Sequence, residues 1–160
     1  MLFPKHVKLV KIRGKGKGVV TKKMIVKGEP ALKFVHGITL RTNKRASITA
    51  IQIDDDTFLD SEPPDIRDYV NHSCDPNTRV DFELMSYVSI KNIRKGDEIT
   101  FNYLSTEYDL ASKGEQFDCL CGSKNCVGQV KGFRFLTRKE KIKLKPVMSP
   151  FILRKLHNNK

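Results

Sequence analysis

The feature that most constrains the fold of this chain is the spacing of its four cysteines. Cys119, Cys121 and Cys126 lie within a window of eight residues, and Cys74 lies far upstream. A tight loop that contains glycine can aim three thiols at one point, and three thiolates need one more ligand to close a tetrahedral structural zinc site. Cys74 is the only cysteine left to supply it. Two disulfides and four unrelated buried or reactive thiols are the alternatives that the spacing leaves open.

Length and composition narrow the class of protein. The 160 residues suit a single domain, and the apolar share of 39% is enough for one packed core. The chain has no run of about 18 apolar residues, so we expect no membrane span. Its first residues lack the apolar segment and small-residue cleavage site of a secretory signal. We therefore expect an intracellular protein, nuclear or cytoplasmic, without a membrane partner.

The formal net charge of +12 is distributed unevenly. Residues 1–45 carry +12 and residues 131–160 carry +9, whereas residues 51–68 carry −6 and residues 69–130 carry −3. Basic ends favour contact with a polyanion such as nucleic acid, and a solvated basic surface is the alternative. The acidic stretch, residues 51–68, is either a surface loop without a role or a docking strip for a basic peptide.

Alternation of apolar and polar residues predicts short strands over the first two thirds of the chain. The predicted strands are Val7–Ile12, Val19–Val20, Ala31–Val35, Ile48–Ile53 and Ile99–Tyr103, with Val80–Ile90 as a hairpin or two short strands.

After residue 117 the pattern changes. Cys119–Cys126 is too rich in glycine, serine and asparagine for a regular element. A helix is then predicted with Thr137 as its N-cap, Glu140 as its capping-box partner and Pro146 at its end. A second short helix is predicted with Pro150 at its first position. The sequence thus predicts one domain with a helical tail.

Two further motifs admit more than one interpretation. A cysteine and a histidine in the polar run Asn71–Asn77 suggest a nucleophile and its base, but side chains alternate along an extended segment. Because adjacent residues then point to opposite sides, we expect that His72 cannot easily act on Cys74. The basic run Gly14–Gly18 lacks the spacing of a Walker loop and the context of a dinucleotide fold, although its glycines would let the backbone approach a ligand.

The segment after Gly96 predicts a turn and then a strand. Phe101 and Tyr103 lie two residues apart on it, so both rings should face the same side. Two aromatic residues at this spacing are, taken alone, more typical of a core than of a catalytic site.

Taken together and in this order, four segments resemble the SET-domain protein lysine methyltransferases that carry a post-SET zinc motif. GKGVV resembles the first cofactor loop, NHSCDPN the second signature, KGDEITFNY the strand that ends in the catalytic tyrosine, and CLCGSKNCVG the post-SET motif. The resemblance covers about residues 5–130, and the tail is similar to the ending of short stand-alone members.

This resemblance implies a mainly β fold. In the SET fold, small curved β-sheets surround a knot-like C-terminal crossing, followed here by a post-SET zinc loop and short C-terminal helices. The implied divisions are residues 1–116 as the SET domain, 117–132 as the zinc-binding segment and 133–160 as a basic helical tail. The crossing would place residues 71–77 beside residues 101–103.

The resemblance also implies methyl transfer from S-adenosylmethionine to a lysine amine, with S-adenosylhomocysteine as product and one structural Zn²⁺. Tyr103 is the implied catalytic residue. The implied lysine channel consists of Phe101, Tyr108 and Phe34. The implied cofactor-binding residues are Lys15, Gly16, Lys17, Asn71, His72 and Leu120. The implied zinc ligands are Cys74, Cys119, Cys121 and Cys126.

Three positions depart from the family pattern. Two residues separate Phe34 from Gly37 where the family usually has one, and the glutamate that often follows is absent. Asn102 replaces the aspartate before the last tyrosine, and Asp68 stands where an arginine often precedes the second signature.

Substrate and product follow from the same resemblance. Phe101 stands where the family carries Phe or Tyr, and a Tyr hydroxyl there would hold a water that crowds the amine, so Phe predicts di- or trimethylation. The implied substrate is a basic protein, either a histone or histone-like tail or a non-histone target such as a ribosomal or DNA-packaging protein. A non-catalytic zinc-containing module that binds nucleic acid or nucleosomes is the alternative function.

Overall fold

The computed structural model describes residues 4–34 and 37–158. Within these residues, twelve short strands form five small sheets and two α-helices end the chain, so the predicted mainly β fold is confirmed. The strands are β1 (Val7–Ile12), β2 (Gly16–Thr21), β3 (Pro30–Lys33), β4 (Ile38–Arg41), β5 (Ile51–Asp54), β6 (Thr57–Ser61), β7 (Asn71–His72), β8 (Thr78–Asp81), β9 (Ser86–Ser89), β10 (Thr100–Phe101), β11 (Phe117–Asp118) and β12 (Gln129–Val130). The helices are α1 (Arg138–Leu144) and α2 (Pro150–Asn158).

Four of these sheets are antiparallel: β1-β2, β3-β9-β8, β4-β6-β5 and β11-β12. The fifth is a parallel pair, in which Thr100 of β10 lies opposite Asn71 of β7 and Phe101 opposite His72. Parallel strands cannot be joined by a tight hairpin, so the chain between them must cross over. This crossing brings the polar run after Val70 beside the aromatic strand, as expected.

Several strand predictions are confirmed with changed bounds. β1 matches its prediction, and the predicted hairpin consists of β8 and β9. β5 begins at Ile51 rather than Ile48, because residues 47–50 form a turn that leaves Ile48 77% exposed. Val35, the predicted end of the third strand, lies outside the described residues. Tyr103 does not lie in a strand but begins a 3-10 turn, which the Asn102 side chain caps by accepting a 3.0 Å hydrogen bond from the Leu104 amide.

The short strands β4, β6, β7, β11 and β12 were not predicted. β7, β11 and β12 have two residues each, too few to show a period of two. β6 is buried at three consecutive positions, from Phe58 to Asp60, so it has no alternation to detect.

Both helix predictions are confirmed. Oγ1 of Thr137 accepts from the Glu140 amide at 3.3 Å, and Oε2 of Glu140 accepts from the Thr137 amide at 2.7 Å, which completes the capping box. Pro146 lies in the 3-10 turn after α1, and Pro150 opens α2. Neither helix in the described ranges is long and apolar enough to cross a bilayer.

The core has two clusters of buried side chains. The first packs beneath the sheets and includes Val19, Leu32, Ile66, Ile93 and Ile99. The second joins the segment after β10 to the C-terminal helices and includes Leu104, Val130, Phe133, Phe151 and Ile152. Tyr103 packs against both clusters, so it lies at their junction.

Residues of the acidic stretch make ion pairs and hydrogen bonds to other elements, so the stretch is not a surface loop without a role. Asp54 pairs with Arg154 of α2 at 3.3 Å, and Asp55 pairs with Lys155. Asp60 accepts from the Ser47 hydroxyl at 2.6 Å. These acids anchor α2 and the turn before β5. Because exposed ion pairs are weak, another cation can replace Arg154 beside Asp54 or Lys155 beside Asp55.

We expect the second cluster to contribute strongly to stability. Phe133 is fully buried, so Phe133→Ala should lower the free energy of unfolding by about 3–5 kcal/mol through the cavity that it leaves. Phe135 lies in the same turn and is 49% exposed, so Phe135→Ala should cost about 1 kcal/mol or less. Urea unfolding of both variants measures the difference, and equal losses would contradict this account of the core.

Candidate functional site

Tyr103 separates two cavities and lines both of them. The outer cavity, of about 240 Å³, is bordered also by Gly14, Lys15, Asn71, His72, Phe117 and Leu120. The inner cavity, of about 60 Å³, is bordered also by Arg67, Asp68, Tyr87, Phe101, Glu107 and Lys113. No other residue is common to the two linings in the described part of the chain.

A shared carboxylate organises the floor of the outer cavity. Oε2 of Glu98 accepts from Nζ of Lys15 at 3.0 Å, and Oε1 accepts from Nδ2 of Asn71 at 2.8 Å. The same Asn71 nitrogen donates to the Lys17 carbonyl at 3.0 Å. A Cβ at Gly18 would lie 2.7 Å from that nitrogen and 2.8 Å from Glu98, so a larger residue would displace both side chains from these positions.

His72 connects the outer cavity to the cysteine cluster. Its Nδ1 accepts from the Tyr103 amide at 3.1 Å, so Nε2 carries the proton and faces Sγ of Cys74 at 3.3 Å. Burial, helped by the charge of Lys15, lowers the pKa of His72 to about 4, so the ring is neutral at pH 7. The expectation that an extended backbone keeps His72 from reaching Cys74 is wrong, because residues two apart in an extended segment share a side.

The Tyr103 hydroxyl donates to the Val70 carbonyl at 3.0 Å. Its ring packs against Phe101, His72 and Phe117, with centroid distances of 4.8, 5.3 and 5.9 Å. Burial and the nearby carboxylates raise its pKa above the ordinary value, so the hydroxyl stays protonated near neutral pH. It can therefore donate or orient, but it is poorly suited to act as a base.

The four cysteines meet at one point next to this tyrosine. Their Sγ atoms all lie within 4.8 Å of one another, and those of Cys74 and Cys119 are 3.7 Å apart. A tetrahedron with vertices about 2.3 Å from its centre has edges of about 3.8 Å, so the cluster fits a Zn²⁺ ion. Burial raises the pKa of the Cys119 thiol to about 11, whereas at Cys121 hydrogen bonds, first of all from the Cys74 backbone, outweigh burial and lower the pKa to about 7. A cation at the centre would compensate the thiolates that burial disfavours.

Aromatic rings form one side of the inner cavity. The ring centroid of Phe101 is 5.1 Å from that of Tyr87. Phe34 packs behind Tyr87 in an edge-to-face arrangement, with ring centroids 5.0 Å apart. The lining also carries charged groups, among them the buried carboxyl of Glu107. Burial raises the pKa of this carboxyl to about 7, although the hydrogen bond from Gln52, the charge of Lys113 and the hydrogen bond from Thr106 act to lower it.

A model of the SET domain matches residues 16–104, more than half of the chain. The chain belongs to the SET domain family. Histone-lysine N-methyltransferase mes-4 of Caenorhabditis elegans is 31% identical to this SET domain over 157 residues, which covers 79% of this chain and 17% of mes-4. Methyltransferase flvH of Aspergillus flavus is 42% identical over 67 residues, covering 40% of this chain and 35% of flvH. The chain therefore spans only about a third of flvH and less than about a fifth of mes-4.

Solved structures share the fold of this SET domain. KRYPTONITE in complex with mCHG DNA and SAH superposes with a TM-score of 0.60 at 24% identity, covering 77% of this chain and 28% of that one. KRYPTONITE in complex with mCHH DNA, H3(1-15) peptide and SAH gives a TM-score of 0.58 at 22% identity, covering 77% and 29%. The SET fold that the sequence implied is confirmed.

This SET domain brings only part of the predicted site together. Tyr103, Lys15, Asn71, His72 and Leu120 line the outer cavity, and Leu120 does so although it is 62% exposed. Phe101 lines the inner cavity, whereas Phe34 packs against the ring of Tyr87, which belongs to that lining. Gly16 and Lys17 lie at the exposed start of β2 and are not part of the outer lining.

Tyr108 is placed differently from its prediction. It borders neither cavity and packs against Phe133 and Phe151, with ring centroids 6.4 Å away in each case. The cause is the turn after β10, which directs Tyr108 towards the second cluster while Glu107, one residue earlier, borders the inner cavity.

Gly14, Glu98, Glu107 and Phe117 are among the residues at the site that were not predicted as site residues. Gly14 and Glu98 lie inside or beside motifs that the sequence already singles out. Their position in the sequence could therefore have indicated that they belong to the site. Phe117 and Glu107 lie in no motif, and only the folded chain brings them to the cavities.

We expect the purified protein to carry one zinc ion per chain, because all four thiols meet at one point. Cys126→Ser should lose zinc to a chelator at a concentration at which the wild type retains it. Ser123→Ala, in the same loop, is the control and should retain zinc. Plasma emission spectrometry measures the metal, and equal retention by Cys126→Ser and the wild type would contradict a four-thiolate site.

Proposed function

We propose that this SET domain transfers a methyl group from S-adenosylmethionine to the side-chain amine of a lysine in a basic protein, a histone or histone-like tail. The observation that carries the proposal is the position of Tyr103 between two cavities of different character. In-line displacement needs the methyl donor and the amine to meet from opposite sides of one point. A tyrosine that borders both cavities marks that point.

In this proposal the outer cavity holds the methyl donor. Asn71 and His72 bind its polar groups. The backbone of the turn Lys15–Lys17, which includes Gly16, contacts its methionine part. Leu120 covers the bound donor. The hydrogen bonds from Lys15 and Asn71 to Glu98 hold these groups ready before anything binds. The KRYPTONITE complexes contain SAH, the product form of such a donor.

The inner cavity receives the lysine. A free lysine has a pKa of about 10.4, and its amine must be neutral to attack. The aromatic walls of Phe101 and Tyr87, with Phe34 behind them, desolvate the ammonium and so lower its pKa. The Tyr103 hydroxyl, held on the Val70 carbonyl, orients the amine without acting as a base.

Zinc has an indirect part in this proposal. The four cysteines would hold it, and His72 would connect it to the Tyr103 amide through the Cys74 contact. The ion would fix residues 117–132 over a catalytic unit formed by residues 1–116, with residues 133–160 as a basic tail. Phe117 belongs to this segment and packs on Tyr103, so the segment supplies one wall of the site.

The partners are proposed from charge and from the relatives. mes-4 is named a histone-lysine methyltransferase, and one KRYPTONITE complex contains an H3 peptide. A basic substrate suits the exposed acids Asp54 and Asp55, whose pairs with α2 can exchange. Such a substrate places the protein inside the cell, in the nucleus if the substrate is chromatin.

The second candidate is a non-catalytic module that binds nucleic acid or nucleosomes. Eight lysines and arginines between residues 5 and 27 are exposed, which favours phosphate contacts. KRYPTONITE is bound to DNA in both complexes.

Radiolabelled methyl transfer to core histones and to a cell extract separates the candidates. Tyr103→Phe should lower the rate by about 100-fold or more, because it removes the oriented hydroxyl. Tyr69→Phe is the control, since that ring borders neither cavity, and it should leave the rate unchanged. Unchanged labelling by Tyr103→Phe would remove this residue from the mechanism. Absence of labelling by the wild type on both acceptors would favour the binding module.

The degree of methylation should depend on Phe101. The wild type should form di- or trimethyllysine, because no hydroxyl at this position holds a water beside the amine. Phe101→Tyr places a hydroxyl in the inner cavity and should shift the product towards monomethyllysine. Mass spectrometry of the acceptor gives the distribution, and mainly monomethyl product from the wild type would contradict the argument.

A further inference from the structure

Glu107 is a buried carboxyl group on the wall of the inner cavity, and methyl transfer assisted by Tyr103 alone does not use it. It is only 6% exposed and lies on the same turn as Tyr103, whose carbonyl accepts from the Glu107 amide at 2.8 Å. Both side chains border the inner cavity. Whatever enters that cavity towards Tyr103 therefore also meets Glu107.

The other charged groups around the cavity lie within 4 Å of an opposite charge, although Nη1 of Arg67 has no hydrogen-bond partner in the described part of the chain. Nε of Arg67 lies 3.8 Å from Asp68, and Nζ of Lys113 lies 3.9 Å from Glu115. The Lys113 ammonium is also held 3.9 Å from the centre of the Phe58 ring. Glu107 is the one carboxylate of this cavity without an ion pair in the described part of the chain.

Within the described part of the chain, only one oxygen of Glu107 accepts a hydrogen bond. Oε1 accepts from the Gln52 amide at 2.9 Å and from the Thr106 hydroxyl at 3.1 Å. Both hydrogen bonds to this carboxylate among residues 4–34 and 37–158 end on that oxygen. They fix the carboxylate in place and leave Oε2 for a ligand. A buried carboxylate without a cation is costly, so the arrangement favours a cationic ligand.

We propose that Glu107 receives the target lysine ammonium in the inner cavity and takes its proton before methyl transfer. The inference rests on the proposed function and adds a second catalytic residue to Tyr103. An N–H bond of the ammonium breaks, an O–H bond forms on Oε2, and the nitrogen keeps the electron pair. That pair then forms the N–C bond to the methyl group, while the C–S bond breaks and its electrons stay on sulfur.

The surroundings of Glu107 suit this step. Proton transfer turns a buried ion pair into two neutral groups, which a desolvated cavity favours. A pKa of about 7, raised by burial, places the carboxyl near the pH at which it must both accept and release a proton. The ionisable groups that face it are Arg67, Asp68, Tyr87, Tyr103, Lys113 and Glu115. After product departure the proton leaves Glu107 to water.

The test is the pH dependence of methyl transfer with tritiated S-adenosylmethionine, using core histones and cell extract as acceptors. The wild-type rate at limiting acceptor should rise through pH 7 and then level off. Glu107→Gln keeps the shape of the side chain and an acceptor oxygen for Gln52. Its rate should fall by about 100-fold at pH 7 and should keep rising towards pH 10, where free lysine itself deprotonates. Glu83→Gln, an exposed change of the same type, should match the wild type.

Each outcome decides between the two proposals. A wild-type profile retained by a folded Glu107→Gln, or a uniform loss of rate without a changed profile, overturns the role of Glu107 and leaves the proposed function standing. Absence of transfer by both the wild type and Glu83→Gln overturns the proposed function, and this inference with it. If Glu107→Gln does not fold, the wild-type profile decides, because a rate that keeps rising to pH 10 overturns a base near pH 7.

Discussion

The parallel pairing of β7 with β10 is the interaction on which the rest of the site depends. Each strand has only two residues, too few to be stable as an isolated pair. Side chains stabilise it: Asn77 donates to the Glu98 carbonyl at 2.7 Å and accepts from the Thr100 amide at 2.9 Å. The Thr78 hydroxyl donates to the Thr100 carbonyl at 2.8 Å. This pairing places His72 against the Tyr103 amide, and Tyr103 borders both cavities.

The same crossing joins the cysteine cluster to the chemistry. Cys74 follows β7 by two residues, so a metal held by the four thiols lies one hydrogen bond from His72 and two from Tyr103. Side chains of the turn after β10 contribute to two different regions of the protein. Glu107 borders the inner cavity, whereas Tyr108 packs into the second cluster with the C-terminal helices. Stability of the tail and the shape of the inner cavity therefore depend on one short segment.

Prediction succeeded where a local rule decides the structure. Thr137 and Glu140 specify a helix start by themselves, and β1 shows its alternation in six residues. Prediction failed where contacts between distant segments decide. Ile48 has the pattern of a strand residue, yet it lies in an exposed turn because Asp60 binds the preceding Ser47. The two-residue strands carry no pattern at all, since they exist only through their partners.

The sequence by itself determined the family motifs, the number of thiols, the mainly β character and the helical tail. These features depend on residue types at fixed local spacings, which can be read without the fold. Only the tertiary structure decided that Glu98 holds Lys15 and Asn71 together, that Tyr103 borders two cavities, and that Glu107 faces one of them without an ion pair in the described part of the chain. The reason is physical: burial, desolvation and charge pairing depend on residues far apart in the chain, and a linear pattern does not record which of them meet.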